Sequence, residues 1–303
     1  MLVARFSGLV LYSGKQQATS KENMKVSGFT IARNAVKLNY PILASIKSIL
    51  PLVDEFVINV GDSEDNTLEV IQSIRSDKIK IIQNVWDFSQ GKEVLSQQTN
   101  LALKECTGDW AFYLQSDEVV HEEDWPRLKK LMEKYLNNPE VDALRFKWLH
   151  FYGSYFRYRV DAGWYQKQDR IIRNNGKIVS EGDAWGFCRT DGQPMNRIVT
   201  NCFIYHYGWV QPQDIMGERI TNASNIGFAA DVDKDHTGQY DYGDLTRFPP
   251  YFGSHPDVMR ERVAKHKLSQ DDLKSIREEY KYHPALLFNW RWKTGKRIKK
   301  RIT

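Results

Sequence analysis

Polar and apolar positions change period along the first half of the chain. Lys25–Ile31 is predicted as a short strand. Asn39-Tyr40-Pro41 opens a helix, with proline tolerated in its first turn. Ile42, Leu43, Ile46, Ile49 and Leu50 then recur at helical spacing until Pro51 closes the segment. Glu55–Val60 (EFVINV) is β-rich and carries no charge after its first residue, as a strand buried on both faces would. The turn Gly61-Asp62-Ser63-Glu64-Asp65 leads to a helix with Leu68, Ile71 and Ile74. A strand follows over Lys78–Gln83, a helix over Lys92–Cys106 and a strand over Trp110–Leu114, which ends at Gln115-Ser116-Asp117-Glu118. Strand and helix alternate at short spacing, which predicts an α/β fold: a single, mostly parallel, twisted sheet flanked by helices. Ligands of such sheets bind beyond the carboxyl ends of the strands, where both polar clusters, 61–67 and 115–118, are expected.

After about residue 140 the pattern shifts to aromatic-rich strands over Asp142–His150, Tyr155–Val160, Asp169–Arg173 and Asn201–Tyr207. A helix is predicted over Gln211–Ala230 and loop over Asp231–Ser254. Pro256–His266, Ser269–Tyr280 and the stretch from Leu286 are predicted to be helical. The expected organisation is a flexible leader (1–24), a catalytic domain (25–230) and a loop-and-helix C-terminal extension with a basic tail (231–303).

A hydrophobic fraction of 41% and an aromatic fraction of 13% supply a sizeable core. No apolar run is long enough to cross a bilayer. Cys106, Cys188 and Cys202 are odd in number, widely spaced and without zinc-ligand spacing, which fits a reducing, cytoplasmic setting. The net charge is +5, but eight Lys and Arg follow Glu279 with no acidic residue among them, so the remainder is net negative. The basicity belongs to the tail and does not predict nucleic-acid binding. Trp290 and Trp292 stand among those basic residues, a mixture suited to an anionic membrane face or a lipid-linked acceptor.

Four segments resemble family 2 of the inverting glycosyltransferases, which have the GT-A fold. They are VSGFTIARN at 26–34, VGDSEDNT at 60–67, GDWAFYLQSDEVVHEED at 108–124 and, more weakly, YHYGWV at 205–210. The resemblance implies transfer of a sugar from a nucleotide-diphosphate donor to the hydroxyl of a glycan or lipid-linked acceptor, as in polysaccharide biosynthesis. It also implies a divalent metal, Mn²⁺ or Mg²⁺, at an Asp-x-Asp motif. Here that motif reads Gln115-Ser116-Asp117, with only its second carboxylate present.

A divalent cation neutralises the charge that develops on a departing diphosphate. Asp117 is the predicted ligand and His206 the second, a nitrogen donor that would favour Mn²⁺. A cap or turn role for Asp117, and an aromatic-core role for His206, are the plainer alternatives. Glu118 is expected to point away from Asp117 if the strand continues. The nucleotide is expected near Thr30, Ala32 and Arg33 after the first strand, Asp62 after the second, and Gln115 and Ser116. Asp65 is expected to cap a helix. The resemblance adds Gln97 and Asn100, on the helix before the metal strand, as donor-facing groups. Inversion needs one base, and the resemblance puts it in an acceptor-side loop that corresponds to Glu181-Gly182-Asp183-Ala184-Trp185. Asp183 is favoured, then Glu181, then Asp161. Of Arg170 and Arg173, which lie on opposite faces of a strand, Arg170 is assigned to the diphosphate and the other to the surface. Trp164, Tyr165, Trp185 and Tyr207 form a candidate sugar-stacking wall. Two other readings remain open: a nucleotidyltransferase, disfavoured because FTIARN lacks a glycine-rich phosphate loop, and a binding module that kept the fold without turnover.

Overall fold

The structure is a computed structural model that describes residues 23–161, 163–225 and 238–266. The first half runs β1 (Val26–Ala32), α1 (Ile42–Ile49), β2 (Glu55–Gly61), α2 (Thr67–Gln72), β3 (Ile79–Asn84), α3 (Glu93–Lys104) and β4 (Trp110–Tyr113). After it come β5 (Glu118–Val120), α4 (Trp125–Tyr135), β6 (Ala143–Tyr152), β7 (Tyr158–Arg159), β8 (Lys167–Arg173), β9 (Ile178–Glu181), β10 (Gly186–Arg189), β11 (Arg197–Trp209), α5 (Gln213–Asn225) and α6 (Arg260–Lys265).

The main sheet has the order β3-β2-β1-β4-β8-β6-β11-β5, with β7 added beside β6. β1 to β4 are mutually parallel, and β6 is parallel to β11. β5, β7 and β8 run against them. β1 is buried throughout and β2 after its first residue, whereas β3, at the sheet edge, is only half-buried. The uncharged run in β2 follows from that central place. A β-carbon at Gly28 would meet the Phe56 ring 2.6 Å away, so β1 and β2 pack too closely there for any side chain.

Two cores sandwich the parallel half. Ile42, Ile46 and Ile49 of α1 pack with Phe56, Ile58 and Phe112 on one face. Ala102 and Leu103 of α3 pack with Phe29, Val57 and Tyr113 on the other. A third, aromatic core joins Phe151, Tyr205 and Tyr207 of β6 and β11 to Tyr251. Through Tyr251, and through a hydrogen bond from Arg262 to the Asn39 carbonyl, residues 238–266 pack into the body of the domain. The helices predicted over Ser269–Tyr280 and from Leu286, residues 1–22 of the leader and the basic tail lie outside the described residues. No helix among the described residues is long and apolar enough to cross a membrane.

Candidate active site

The chain leaves β4 at Leu114 and turns through 115–117 before β5 crosses to the far side of the sheet, antiparallel to β11. Four hydrogen bonds fix this turn. Thr30 Oγ1 donates to the Leu114 carbonyl at 2.6 Å and Ser116 Oγ to the Ile31 carbonyl at 2.9 Å. Ser45 Oγ donates to the Gln115 carbonyl at 2.9 Å, and the Tyr207 amide to the Asp117 carbonyl at 2.9 Å. The last bond sets Asp117 beside His206.

Asp117 and His206 are both buried, and His206 Nε2 stands 3.6 Å from Asp117 Oδ2, too far for a hydrogen bond. Arg219, from α5, reaches the same oxygen at 3.2 Å while its guanidinium lies 3.8 Å from the Tyr40 ring centre. Burial pushes the Asp117 carboxyl up, but His206 and Arg219 outweigh it and hold the pKa down at about 2. Gly208 makes room for this group: a β-carbon there would stand 2.5 Å from Asp117 Oδ2 and 2.8 Å from His206 Nε2. Behind His206 sits His150, its register partner on β6, with the two Nδ1 atoms 3.1 Å apart. Burial, then the neighbouring His206, pushes the His150 pKa down to about 3.

The second part of the site is the β9–β10 hairpin. Its turn carries Gly182 and Ala184 at positive φ, 57° and 60°, and Asp183 between them. Gln115 Nε2 donates to the Ala184 carbonyl at 3.3 Å, and Arg170 to the Trp185 carbonyl at 3.2 Å, which ties the hairpin to the Asp117 turn. Asp183 Oδ1 is buried without a hydrogen-bond partner, and burial raises the Asp183 pKa. The Tyr165 and Trp185 rings stack at 5.7 Å and 8°, both partly exposed. Tyr207 and Trp164 do not join them. Tyr207 is buried against Phe151 in the aromatic core, and Trp164 packs on His150, Trp209 and the Arg159 guanidinium. Glu181 interacts with Cys188 across the hairpin, and Asp161 is paired with Arg159.

The third part is the rim at the ends of β1 and β2. Asp62 is exposed, accepts from Arg33 Nε at 3.2 Å and from the Trp86 amide at 3.3 Å. Arg33 also lies 4.7 Å over the Phe88 ring. Burial pushes the Asp62 carboxyl up, but the Trp86 amide and Arg33 outweigh it and hold its pKa below the usual value. Asp65 precedes the cap position, which Asn66 holds, and accepts from the Thr67 amide at 3.0 Å and from the Lys37 amide at 2.6 Å, so it ties the turn to Lys37 and is not the helix cap expected.

Other predicted contacts are committed elsewhere. Arg170 is fully buried in a bidentate pair with Glu118, at 2.6 and 2.7 Å, between the Tyr113 and Trp148 rings; it faces no cleft and cannot meet a diphosphate. Glu118, which opens β5 after the turn and is not a continuation of β4, also accepts from the Gln115 main-chain amide at 3.2 Å and braces the turn. Arg173 is no free surface charge: it donates to the carbonyls of Tyr135, Leu136, Asn138 and Val141 and closes the end of α4. Asn100 clamps the Ser180 backbone in both directions, at 2.7 and 3.0 Å, so its amide holds the hairpin and is not left for a donor. Gln97 is exposed on α3, and Gln98 points inward to Asn59. Thr30 and Ala32 are buried, and the Thr30 hydroxyl is spent on Leu114.

A GT-A-like sheet with a carboxylate turn after its fourth strand and an acidic hairpin opposite is the class of site found. The family model for glycosyl transferase family 2 matches residues 29–190, and the chain belongs to that family. No curated protein sequence matches it significantly. Among solved structures it is similar to S. aureus TarS, at 16% identity and a TM-score of 0.41, over 70% of this chain but only 41% of that one. The TarS 1–349 fragment in complex with UDP-GlcNAc gives 17% identity and a TM-score of 0.42, over 70% of this chain and 69% of that one. A mannosyltransferase from Pyrobaculum calidifontis, in complex with GDP-Man and Mn²⁺, gives 18% and 0.33, over 43% and 37%.

Proposed function

We propose that this chain transfers a sugar from a nucleoside-diphosphate donor to an acceptor hydroxyl, with inversion at the anomeric carbon and with a divalent cation at Asp117 and His206. The observation that carries the reading is the convergence of a carboxylate and an imidazole nitrogen, 3.6 Å apart, over a glycine that leaves them room. No group of three His, Cys, Asp or Glu suited to a metal occurs among the described residues. Asp117 and His206 would hold a cation only with its remaining ligands from phosphate oxygens and water, as Mg²⁺ and Mn²⁺ accept. Its chemistry would be to neutralise the diphosphate as it leaves.

The protein's own groups do the rest in this reading. Asp183, half-buried at the hairpin turn, accepts the proton of the acceptor hydroxyl through its carboxylate. Tyr165 and Trp185 offer a partly exposed aromatic face for a sugar ring. Arg219, already on Asp117, adds a positive charge near the leaving group. Arg33 and Asp62 at the rim bind the nucleotide. The acceptor is a glycan or lipid-linked oligosaccharide, met in the cytoplasm and at the inner membrane face if the basic tail docks there.

Asp183→Asn is the test. It should lower kcat by about 10²- to 10⁴-fold and leave donor binding nearly unchanged; unchanged kcat would remove Asp183 from the mechanism. Gln115 in place of a carboxylate, and Arg219 against Asp117, favour the second reading, a donor-binding module without turnover. Tight donor binding with no product for any donor would support it.

A further inference from the structure

Arg219 and a divalent cation contend for one oxygen atom. The guanidinium reaches Asp117 Oδ2 at 3.2 Å, the same oxygen that faces His206 Nε2 at 3.6 Å. Its other partners are neutral: it donates to the Gly208 carbonyl and lies 3.8 Å from the Tyr40 ring centre. Among the described residues, Asp117 is the only carboxylate paired with it. The adjacent Glu218 is turned to Lys37, at 3.2 Å. The helix fixes where Arg219 starts from. Met216 and Ile220 of α5 are buried, and a β-carbon at Gly217 would stand 2.8 Å from the Gly238 carbonyl oxygen, so α5 lies directly on backbone there.

A charge balance follows from these contacts. If Asp117 turned to a divalent cation, Arg219 would lose its one compensating charge and face a like charge beside it. The Arg219 side chain is only 9% exposed, so water screens that repulsion poorly. A diphosphate restores the balance, because its oxygens can accept from a guanidinium and ligate a cation together. We infer that Arg219 couples cation binding to donor binding: it disfavours a divalent cation alone at Asp117 and favours one that arrives with a nucleoside diphosphate, to whose phosphate oxygens the guanidinium turns. Only the side chain has to move, since α5 stays packed. Such coupling is reciprocal, so the cation tightens the nucleotide by the factor with which the nucleotide tightens the cation. The inference rests on the cation reading proposed above.

Mn²⁺ binding to the full-length protein, followed by electron paramagnetic resonance and calorimetry, tests it. Mn²⁺ is titrated alone and then with UDP or GDP. Arg219→Gln should bind Mn²⁺ alone about 10-fold more tightly than the wild type. Arg219→Met, a second neutral variant that keeps the apolar stem, should do the same, whereas Arg219→Lys, which keeps the charge, should not. The gain should vanish when Asp117→Ala is added. UDP or GDP should tighten Mn²⁺ by a larger factor in the wild type than in the neutral variants; pairing of Mn²⁺ with free nucleotide is common to both and cancels in the comparison. Thermal melts identify the folded variants. A folded neutral variant that binds Mn²⁺ alone no more tightly than the wild type overturns the inference. In that case, Mn²⁺ binding by the wild type with nucleotide, lost in Asp117→Ala, would leave the cation reading standing. Absence of Mn²⁺ binding in every arm would overturn both.

Discussion

A carboxylate that removes a proton is most effective when its pKa lies close to the working pH. Asp183 is moved in that direction: burial disfavours its charged form, and one oxygen lacks a partner. The base acts only when ionised, so a raised pKa lifts the acid limb of the kcat profile above the ordinary carboxylate value of about 4. The Asp183→Asn variant should lose that limb along with its rate. Asp117 behaves oppositely, held at about 2 by His206 and Arg219 against its own burial, and stays ionised throughout the useful range. Asp117 and His206 were readable as neighbours from residue type and place in the motif. Arg170 was not, because its partner Glu118 lies 52 residues away. Arg219 was hidden on a helix between buried Met216 and Ile220, and His150 in a strand of aromatics, neither within any motif.

The element that brings these groups together is β11, whose register against β6 and β5 aligns His206 with His150 on one side and Glu118 on the other. Gly208 lies on that strand where there is no space for a side chain. Gly208→Ala should force Asp117 and His206 apart. Activity should fall by about 100-fold, the cost of a displacement of roughly 1 Å at a reacting centre, with about 1–3 kcal/mol of stability lost to overpacking. Parallel kinetics and thermal melts check both. The Glu118–Arg170 pair should behave as a buried ion pair. Glu118→Gln should cost about 3–5 kcal/mol, and the double replacement Glu118→Leu, Arg170→Met should cost less than the single changes summed, as a double-mutant cycle in urea would report. β1, β2 and β4 were legible because burial on both faces leaves an uncharged run bounded by turns, and β3, half-buried at the edge, by its isoleucines. β5, β9 and β10 have four residues or fewer, too short to show a period, and α4 buries only Leu128 and Met132 among its charges.

At the scale of the whole molecule, the sheet is mostly parallel as predicted, with β8 entering antiparallel between β4 and β6. That insertion brings the β9–β10 hairpin round to face the β4–β5 turn, a proximity that no local pattern encodes. Charge is also divided at this scale: the basic tail opposes a net negative remainder. If the tail docks on membranes, the full chain should co-sediment with liposomes containing anionic lipid, and less as salt rises. Removal of residues 285–303 should abolish the effect. Equal sedimentation of the truncated chain would place membrane contact elsewhere.

The central claim is that the Asp117–His206 pair holds the cation of a nucleotide-sugar transferase. Its most direct test is the release of nucleoside diphosphate from a panel of donor sugars, with Mn²⁺ and with chelator, by the wild type and by Asp117→Ala. Release by the wild type that requires Mn²⁺ and is lost in the variant is the predicted result. Release that persists in chelator, or survives unchanged in Asp117→Ala, would contradict it.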